Sequence, residues 1–467
     1  MKTMTAVRRL SQAVLLSILA MFVSAAHGQT TLAWEQTKYF QYNIENVTVT
    51  RATPLDPWTV KVIFSVSDPT SPTPLYWNIK TDLPFQSLAA SLTADFAWDG
   101  KEFTNTGSTN STLAPIVEIG LGRGAALPVQ VRNLLLPAAG AKACSSTADC
   151  PNIPAFTGRY FVTTTITPVP FTAAATTGRV AIEGRPVCNG LPNCPPPVVT
   201  ATGTTTYVNI PVKSATADFK FEISGNAMIT SPRRQIVDIA KCKGCHDDKQ
   251  HGDTVVPRLS LHGANRNESL DLCVVCHNPN QTDVPYRFAS TTDPRIGGPE
   301  TPIDFKTMVH SIHAGGFRKT PFVVIGRNSS VNDYSEVRFP AELRKSCLKC
   351  HVVDASGKGS FELPLKSTVL GTTVKTQSTY QVAAGATRTI DVNPANNLRI
   401  TPTAATCSAC HDNSEVRSHM IRTGGASFGT TQGRIGTTVK ERCASCHGPG
   451  KDKDVRKVHE LSGSSSD

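Results

Sequence analysis

The sequence Cys242-Lys243-Gly244-Cys245-His246 is the first of five Cys-x-x-Cys-His motifs in the second half of this 467-residue chain. The other four are Cys273-Val274-Val275-Cys276-His277, Cys347-Leu348-Lys349-Cys350-His351, Cys407-Ser408-Ala409-Cys410-His411 and Cys443-Ala444-Ser445-Cys446-His447. For a chain with 14 Cys and 12 His, chance predicts about 0.01 such motifs. The repeated motif is therefore the feature that decides the fold of this half.

The spacing of the motif has a direct chemical meaning. In a helical turn, positions i, i+3 and i+4 share one face, so both thiols can bond to the vinyl groups of a haem while the imidazole binds its iron. The motif is typical of c-type haem attachment with a proximal histidine, which predicts five covalently bound haem c groups. Tetrahedral zinc sites are one alternative. Disulfide exchange is another, but it gives the five histidines no role.

Each of the five irons needs a sixth ligand. Beyond the proximal residues, the chain after residue 28 offers His251, His262, His310, His313, His419 and His459. Helix start and stop signals at Thr301–Asp304 and Gly315-Gly316 place His310 and His313 on one helical face, where they can serve two different haems. His251 lies among Asp, Lys and Gln and is expected in solvent, so we predict the other five as distal ligands.

Methionine is the competing axial ligand. Met308 and Met420 neighbour candidate histidines and are expected to pack beside haem instead. Five bis-histidine haems follow, and such closed irons favour electron transfer over substrate binding, so we predict no catalytic residues.

The first 28 residues indicate export. Lys2, Arg8 and Arg9 precede an apolar run at 13–23, and small residues follow, as in a signal peptide cleaved before Gln29. The alternative, a membrane-spanning helix, needs about 18 apolar residues, and this run is shorter. No Cys near the cleavage point offers a lipid attachment site, and no later run is predicted to span a membrane.

Charge divides the rest of the chain into two domains. Residues 29–230 hold 13 basic and 13 acidic side chains, whereas 231–467 hold 31 and 23. We therefore predict a β domain at 29–230, a haem domain at 231–460 and a tail at 461–467. Because haem propionates would offset the basic surplus, the net charge of +11 does not predict nucleic-acid binding.

The first half predicts an all-β split barrel or sandwich. Strand signals at Val47 and Val49, 60–64, 160–165 and 219–223 alternate with Pro, Gly, Asn and Asp. Its four tryptophans, Trp34, Trp58, Trp77 and Trp98, are expected in the core, with an aromatic binding platform as the alternative.

Four further cysteines lie in this half. Cys144, Cys150, Cys188 and Cys194 indicate two small disulfide loops, although four cysteines allow three pairings. A metal site made of all four thiolates is the alternative.

The second half resembles the multihaem outer-membrane cytochromes of the MtrC/OmcA type, in which β domains alternate with pentahaem domains. The resemblance rests on the motifs around the five Cys-x-x-Cys-His sites, on Leu261-His262-Gly263, on the stretch Asp304-Phe305-Lys306 to His313, and on His419-Met420. It implies a loop-rich, mainly α pentahaem domain, and it implies His262, His310, His313, His419 and His459 as distal ligands. Compared with decahaem members, this chain resembles a half-length relative with one β domain and one pentahaem domain.

The predicted function is electron relay in extracellular or periplasmic respiration. By resemblance, its partners are other cytochromes, outer-membrane conduit proteins, metal oxides or soluble acceptors, and its location is the cell surface, with the periplasm as the alternative. A pentahaem reductase of a small nitrogen oxyanion would keep one iron open, and that enzyme type typically carries a Cys-x-x-Cys-Lys motif, which the sequence lacks. A conducting subunit of a cytochrome filament is the third hypothesis.

Between the third and fourth motifs, strands are predicted at 372–374, 380–382 and 387–392.

Overall fold

The computed structural model describes residues 37–461, except residue 38 and the ranges 73–74, 99–127, 138–139, 167–176, 200–202, 204, 247–248, 252–253, 257–258, 288–292 and 379–394. The signal peptide predicted at 1–28 lies outside the described residues, as do Trp34, the strands predicted at 380–382 and 387–392, and the tail apart from Leu461. The backbone of His251 is described, but its side chain is not.

Most regular structure before residue 230 is β-strand, which confirms the β-rich first half. The elements are β1 (Gln41–Thr50), β2 (Trp58–Asp68), β3 (Leu75–Tyr76), α1 (Leu83–Gln86), β4 (Ser91–Trp98), β5 (Val129–Val131), β6 (Lys142–Ala143), β7 (Arg159–Ile166), β8 (Thr177–Arg185), β9 (Val198–Val199), β10 (Thr205–Thr206), β11 (Ala215–Lys220) and β12 (Met228–Ile229). The long strands are rich in Val, Ile, Thr and aromatic residues, which favour extended backbone.

Ten of these strands form two antiparallel sheets. The first sheet has the order β1-β2-β7-β6 with β3 beside β2, and the second has the order β12-β11-β8-β4-β5. The sheets share one apolar core, in which Phe64 of the first sheet and Phe96 of the second are fully buried. At one edge the sheets are joined, because the Tyr42 N–H donates to the Lys213 carbonyl at 2.9 Å. The result is a sandwich that is closed on one side.

The second sheet is buried on both faces. Because side chains alternate along a strand, Leu92 and Phe96 of β4 point into the core, and Asp95 points to the opposite face. On that face Asp95, Arg179 and Glu183 are 0%, 1% and 4% exposed. A polar sheet face normally meets water. Here the face supports the second half of the chain.

The structure pairs the four cysteines of this half locally. Cys144 bonds to Cys150, and Cys188 bonds to Cys194, each across a sequence separation of 6. The sulfurs therefore form two separate loops, and the alternative of one site built from all four thiolates is not the arrangement observed.

The second half consists of short elements joined by loops. They are α2 (Ile239–Lys243), β13 (Lys249–His251), β14 (Thr254–Val256), β15 (Ser260–Leu261), β16 (Arg266–Asn267), α3 (Leu270–Cys276), α4 (Phe305–His313), β17 (Val323–Ile325), β18 (Val331–Asp333), β19 (Thr372–Lys375), β20 (Leu398–Ile400), α5 (Pro402–Cys407), α6 (Ser414–Arg422), α7 (Ala444–His447) and α8 (Val455–Val458). The strands pair with their sequence neighbours in two-stranded ribbons. None of the helices in the described part of the chain has the length and apolarity that a membrane crossing requires.

The longest stretch of sequence between two motifs contains α4. This helix spans Phe305–His313, between the predicted start and stop signals. A Cβ atom on Gly315 would lie 1.9 Å from the Tyr334 carbonyl oxygen, so close approach of the backbone requires glycine where the helix ends. The stop signal therefore also fixes how the loop after α4 packs.

Candidate haem sites

Each Cys-x-x-Cys-His motif forms one helical turn. In all five, the histidine N–H donates to the carbonyl of the first cysteine, at 2.8 Å for His246, His411 and His447 and at 2.9 Å for His277 and His351. This is the i to i+4 bond of an α-helix. The turn presents two thiols and one imidazole on one side of the backbone, as the spacing predicts.

Every motif histidine faces a second histidine. The ring centroids are 6.0 Å apart for His246 and His313, 6.1 Å for His262 and His277, 5.9 Å for His310 and His351, 6.1 Å for His411 and His459, and 6.3 Å for His419 and His447. Each pair joins one predicted proximal residue to one predicted distal residue. No described histidine is used twice in these five contacts.

The separation of the rings fits a metal ion between two imidazoles. An imidazole nitrogen binds a metal at about 2.0 Å and lies about 1.1 Å from its own ring centre, given ring bonds of about 1.3–1.4 Å. Two collinear ligands therefore place their ring centres about 6 Å apart. The observed separations of 5.9 to 6.3 Å leave room for one iron in each pair, so the residues fit bis-histidine haem.

Hydrogen bonds orient several of these rings. Nδ1 of His277, His313 and His447 lies 2.9, 2.8 and 2.9 Å from the carbonyl oxygens of Ile303, Val309 and Lys453, respectively. A carbonyl can only accept, so Nδ1 of each ring carries the proton. This tautomer leaves Nε2 with a lone pair for a metal.

A hydroxyl group holds His351 in the same tautomer, with the proton on Nδ1. Its Nδ1 lies 2.9 Å from Ser360 Oγ, and that hydroxyl donates its own proton to the Ile236 carbonyl at 2.5 Å. The serine oxygen is then left as an acceptor. His351 therefore donates from Nδ1, and its Nε2 is available as a ligand.

Burial keeps several of the imidazoles neutral. It lowers the pKa of His262 to about 3 and that of His351 to about 4, and it lowers the pKa values of His277, His310 and His459. Neighbouring Arg266 adds to the effect at His262. A metal binds only the neutral imidazole, so these rings are in the ligand form near neutral pH.

The Cys273 and Cys407 thiols are poorly suited to bind zinc. Burial raises the pKa of Cys273 to about 11 and that of Cys407 to about 12, which favours the protonated thiol over the thiolate that zinc binds. Among the described residues, no three His, Cys, Asp or Glu side chains converge as a metal-ion cluster would require. The zinc alternative therefore lacks a ligand set there.

Helix α4 brings three motifs together. The Phe305 N–H at its start donates to the His277 carbonyl at 3.0 Å, which fixes the helix to the second motif. His310 and His313 near its end face the third and first motifs. The first and third motifs also touch directly, since Lys241 Nζ, beside Cys242, donates to the Leu348 and His351 carbonyls at 3.1 and 2.7 Å.

The remaining motifs continue this group. Cys410 of the fourth motif interacts electrostatically with Cys347 of the third, and Cys407 interacts with Cys443 of the fifth. The first, third, fourth and fifth motifs are thus successive neighbours, and the second is attached through α4.

Sequence reasoning missed three residues next to the second motif. Arg266 forms an ion pair with Glu183 at 2.5 Å, and Asp95 is buried close by. For Asp95 and Glu183, the signal in the sequence was a charged residue inside a strand of the first half.

The comparison with protein families agrees with the motifs. Residues 234–460 match the family model described as outer membrane cytochrome MtrC/MtrF-like, domains II/IV. The crystal structure of MtrC from Shewanella baltica OS185 is 16% identical, with a TM-score of 0.44, and the match covers 88% of this chain and 52% of that chain. The chain thus spans about half the length of that solved protein. The search of curated proteins found no match. Through residues 234–460, which contain all five motifs, the chain belongs to the MtrC/MtrF-like family of outer membrane cytochromes, and that membership implies covalently bound c-type haem.

Proposed function

We propose that this chain is a pentahaem c-type cytochrome that relays electrons through five bis-histidine haems. The observation that carries the proposal is the set of five separate histidine pairs, each containing one motif histidine, with ring centres 5.9 to 6.3 Å apart. The domain division at residues 230 and 231 is part of the proposal, with the β domain at 29–230 and the haem domain at 231–460.

The residues of each site have distinct roles. The two cysteines of each motif attach the haem, and the motif histidine is its proximal ligand. His313, His262, His310, His459 and His419 are the distal ligands of the first to fifth motifs, in that order. When bound, haem supplies one-electron exchange at its iron.

Contacts between motifs indicate that the five centres form a relay and are not isolated from one another. The hydrogen bonds of Lys241 to the third motif and the shared helix of His310 and His313 place the first and third sites side by side. The Cys347–Cys410 and Cys407–Cys443 neighbours extend the series to the fourth and fifth sites. Centres held this closely are suited to passing charge through the protein.

The same pairs argue against a reductase. A pentahaem enzyme acting on a nitrogen oxyanion needs one iron with an open axial position. At each of the five motifs the ring centroid of a second imidazole lies 5.9 to 6.3 Å from that of the motif histidine. The chain's own side chains therefore occupy the place where a substrate would bind.

Location and partners follow from the family. We propose that the protein is exported and acts at the cell surface or in the periplasm. There it exchanges electrons with other cytochromes or outer-membrane conduit proteins, and with metal oxides or soluble acceptors as terminal partners.

Haem count and spin state test the function. We expect five covalent haems per purified chain, all low-spin, with no fast binding of carbon monoxide, cyanide or nitrite. His419→Ala should give one high-spin site that binds carbon monoxide, whereas His251→Ala, the matched control, should leave every spectrum unchanged. A high-spin haem in the wild-type protein, or equal behaviour of the two variants, would contradict the assignment.

A further inference from the structure

A pair of buried carboxyl groups lies on the outer face of the second sheet. In the register of β4 and β8, Thr93 is opposite Glu183 and Asp95 is opposite Ala181. Asp95 and Glu183 are therefore diagonal neighbours on one face, within reach of each other's side chains. They are 0% and 4% exposed, so neither charge is solvated by water.

Arg266 supplies a direct hydrogen bond to the pair. Arg266 of β16 donates from Nη2 to Glu183 Oε1 at 2.8 Å. Asp95 Oδ1 accepts from the Gln130 amide at 2.6 Å, but its Oδ2 has no hydrogen-bond partner among the described residues. Two ionised carboxylates in this setting would lose more hydration energy than one arginine returns.

Further groups face the pair from the surrounding elements. They are Arg132 after β5, Arg266 from β16, and Cys273 and Cys276 from α3. Arg179 of β8 lies on the same face and pairs with Asp218 and Asp271, and Glu183 acts electrostatically on Tyr42 in the core. Arg132 is already engaged as a donor to Gln130 Oε1 at 2.8 Å.

A shared proton resolves this imbalance. Burial raises the pKa of Asp95, and burial with the neighbouring Asp95 charge raises the pKa of Glu183 to about 8, while Arg266 acts in the opposite direction. Like charges close together cannot both ionise easily. The pair therefore holds one proton near neutral pH.

The pair is also close to the second motif. Asp95 and Glu183 both act electrostatically on Cys276, and Cys276 packs against the cluster formed by Ala97, Val274 and Val275, of which Ala97 lies two residues after Asp95 on β4. Arg266 acts electrostatically on His262 and His277. A change of charge at this motif will therefore change the proton affinity of the carboxyl pair, because buried charges are weakly screened by salt.

We propose that Asp95 and Glu183 form a proton-binding site that takes up one proton from solvent when the second motif's site is reduced, and releases it on reoxidation. The inference rests on the proposed function. The electron comes from a reduced cytochrome or another one-electron donor, and the proton comes from water; one O–H bond forms at the pair, and no other bond changes. Reduction removes one positive charge nearby, which strengthens proton binding.

Redox-difference infrared spectroscopy of the purified holoprotein tests this site. On reduction at about one pH unit above the Glu183 pKa of about 8, we expect a carboxylic acid C=O band that shifts in deuterium oxide. About one pH unit below that pKa the pair already holds its proton, so the band should be weak. If the proton binds about tenfold more tightly in the reduced state, one haem potential moves by about 59 mV across the titration.

Two variants and one control assign the band. Glu183→Gln and Asp95→Asn should each remove it and make that haem potential independent of pH, with five low-spin haems retained. Glu45→Gln should keep it, because Glu45 pairs with Arg159 at 3.0 Å in the first sheet, away from the motifs. If Glu183→Gln fails to fold, the Asp95→Asn variant alone tests the assignment of the band.

Two results would overturn the inference: no carboxyl band in the wild-type protein, or a band that persists in the variants. Either result with five low-spin haems present would leave the proposed function intact. Missing or high-spin haems would instead contradict the proposed function.

Discussion

His310 and His313 lie three residues apart on α4, and their rings face the histidines of two different motifs. His310 is 5.9 Å from His351, and His313 is 6.0 Å from His246, between ring centroids. One short helix thus contributes a ligand to each of two neighbouring sites. This arrangement holds the first and third motifs at a fixed separation, because the rigid backbone of α4 connects their distal ligands.

Single substitutions in α4 should open different sites. We expect His310→Ala to convert the third haem to a high-spin form and His313→Ala to convert the first, since each loses only its distal imidazole. Carbon monoxide binding and electron paramagnetic resonance would count one opened site in each variant and two in the double variant.

Met308→Leu is the control on the same helix. Met308 lies between the start of α4 and His310 and is not a ligand in the proposed assignment, so its replacement should leave all five haems low-spin. If His310→Ala and His313→Ala perturb the same haem, the assignment of distal ligands is wrong.

Arg179 is expected to anchor the second half to the second sheet. It is 1% exposed and binds Asp218 at 2.7 Å, Asp271 at 2.9 Å and Ser231 at 2.8 Å. Arg179→Met would leave the buried Asp218 carboxylate without its cation, at an expected cost of about 3 kcal/mol or more in unfolding free energy. Chemical denaturation followed by circular dichroism would measure it.

Arg295→Met provides the comparison. Arg295 pairs with Asp293 at 2.7 Å, but its side chain is 48% exposed, so the expected loss of unfolding free energy is much smaller than for Arg179→Met. Equal losses of stability in the two variants would show that burial does not decide the contribution of Arg179.

The small disulfide loops are expected to stabilise the β half. Replacing Cys144 and Cys150 by serine removes the constraint across a separation of 6 residues. For a loop this short, the chain-entropy argument predicts a loss of about 2 kcal/mol. Thermal unfolding under oxidising conditions would measure this loss. Reductant should lower the wild-type midpoint more than the variant's midpoint, because the variant keeps only the Cys188–Cys194 disulfide.

The local chemistry of the motifs could be predicted from the sequence because it depends on helical spacing alone. The helix that carries His310 and His313 and the strands around Val62 and Val162 were also predictable from local patterns. Which distal histidine meets which motif was not, because those contacts span from 15 residues, for His262 and His277, to 67, for His246 and His313, and depend on how loops pack.

Asp95 and Glu183 show a second limit of sequence reasoning. Alternation along β4 and β8 places both on the face opposite the core, where polar residues are ordinary because water usually covers them. Only the packing of α3 and β16 on that face turns two unremarkable surface positions into a buried pair.

The strand predicted at 219–223 ends earlier in the structure, at Lys220, because Ser224 pairs with Val49.

The carboxyl pair should also make stability depend on pH. Burial raises the pKa of Glu183 from 4.5 to about 8, so between these values the folded protein binds more protons than the unfolded chain. The unfolding free energy should therefore fall as pH rises through this window, by at most about 1.4 kcal/mol per pH unit, and level off above it. Glu183→Gln should flatten the profile, and Glu45→Gln should not. A wild-type profile that rises from pH 4.5 to pH 8 would mean that Glu183 is ionised throughout, held by Arg266 as a buried ion pair.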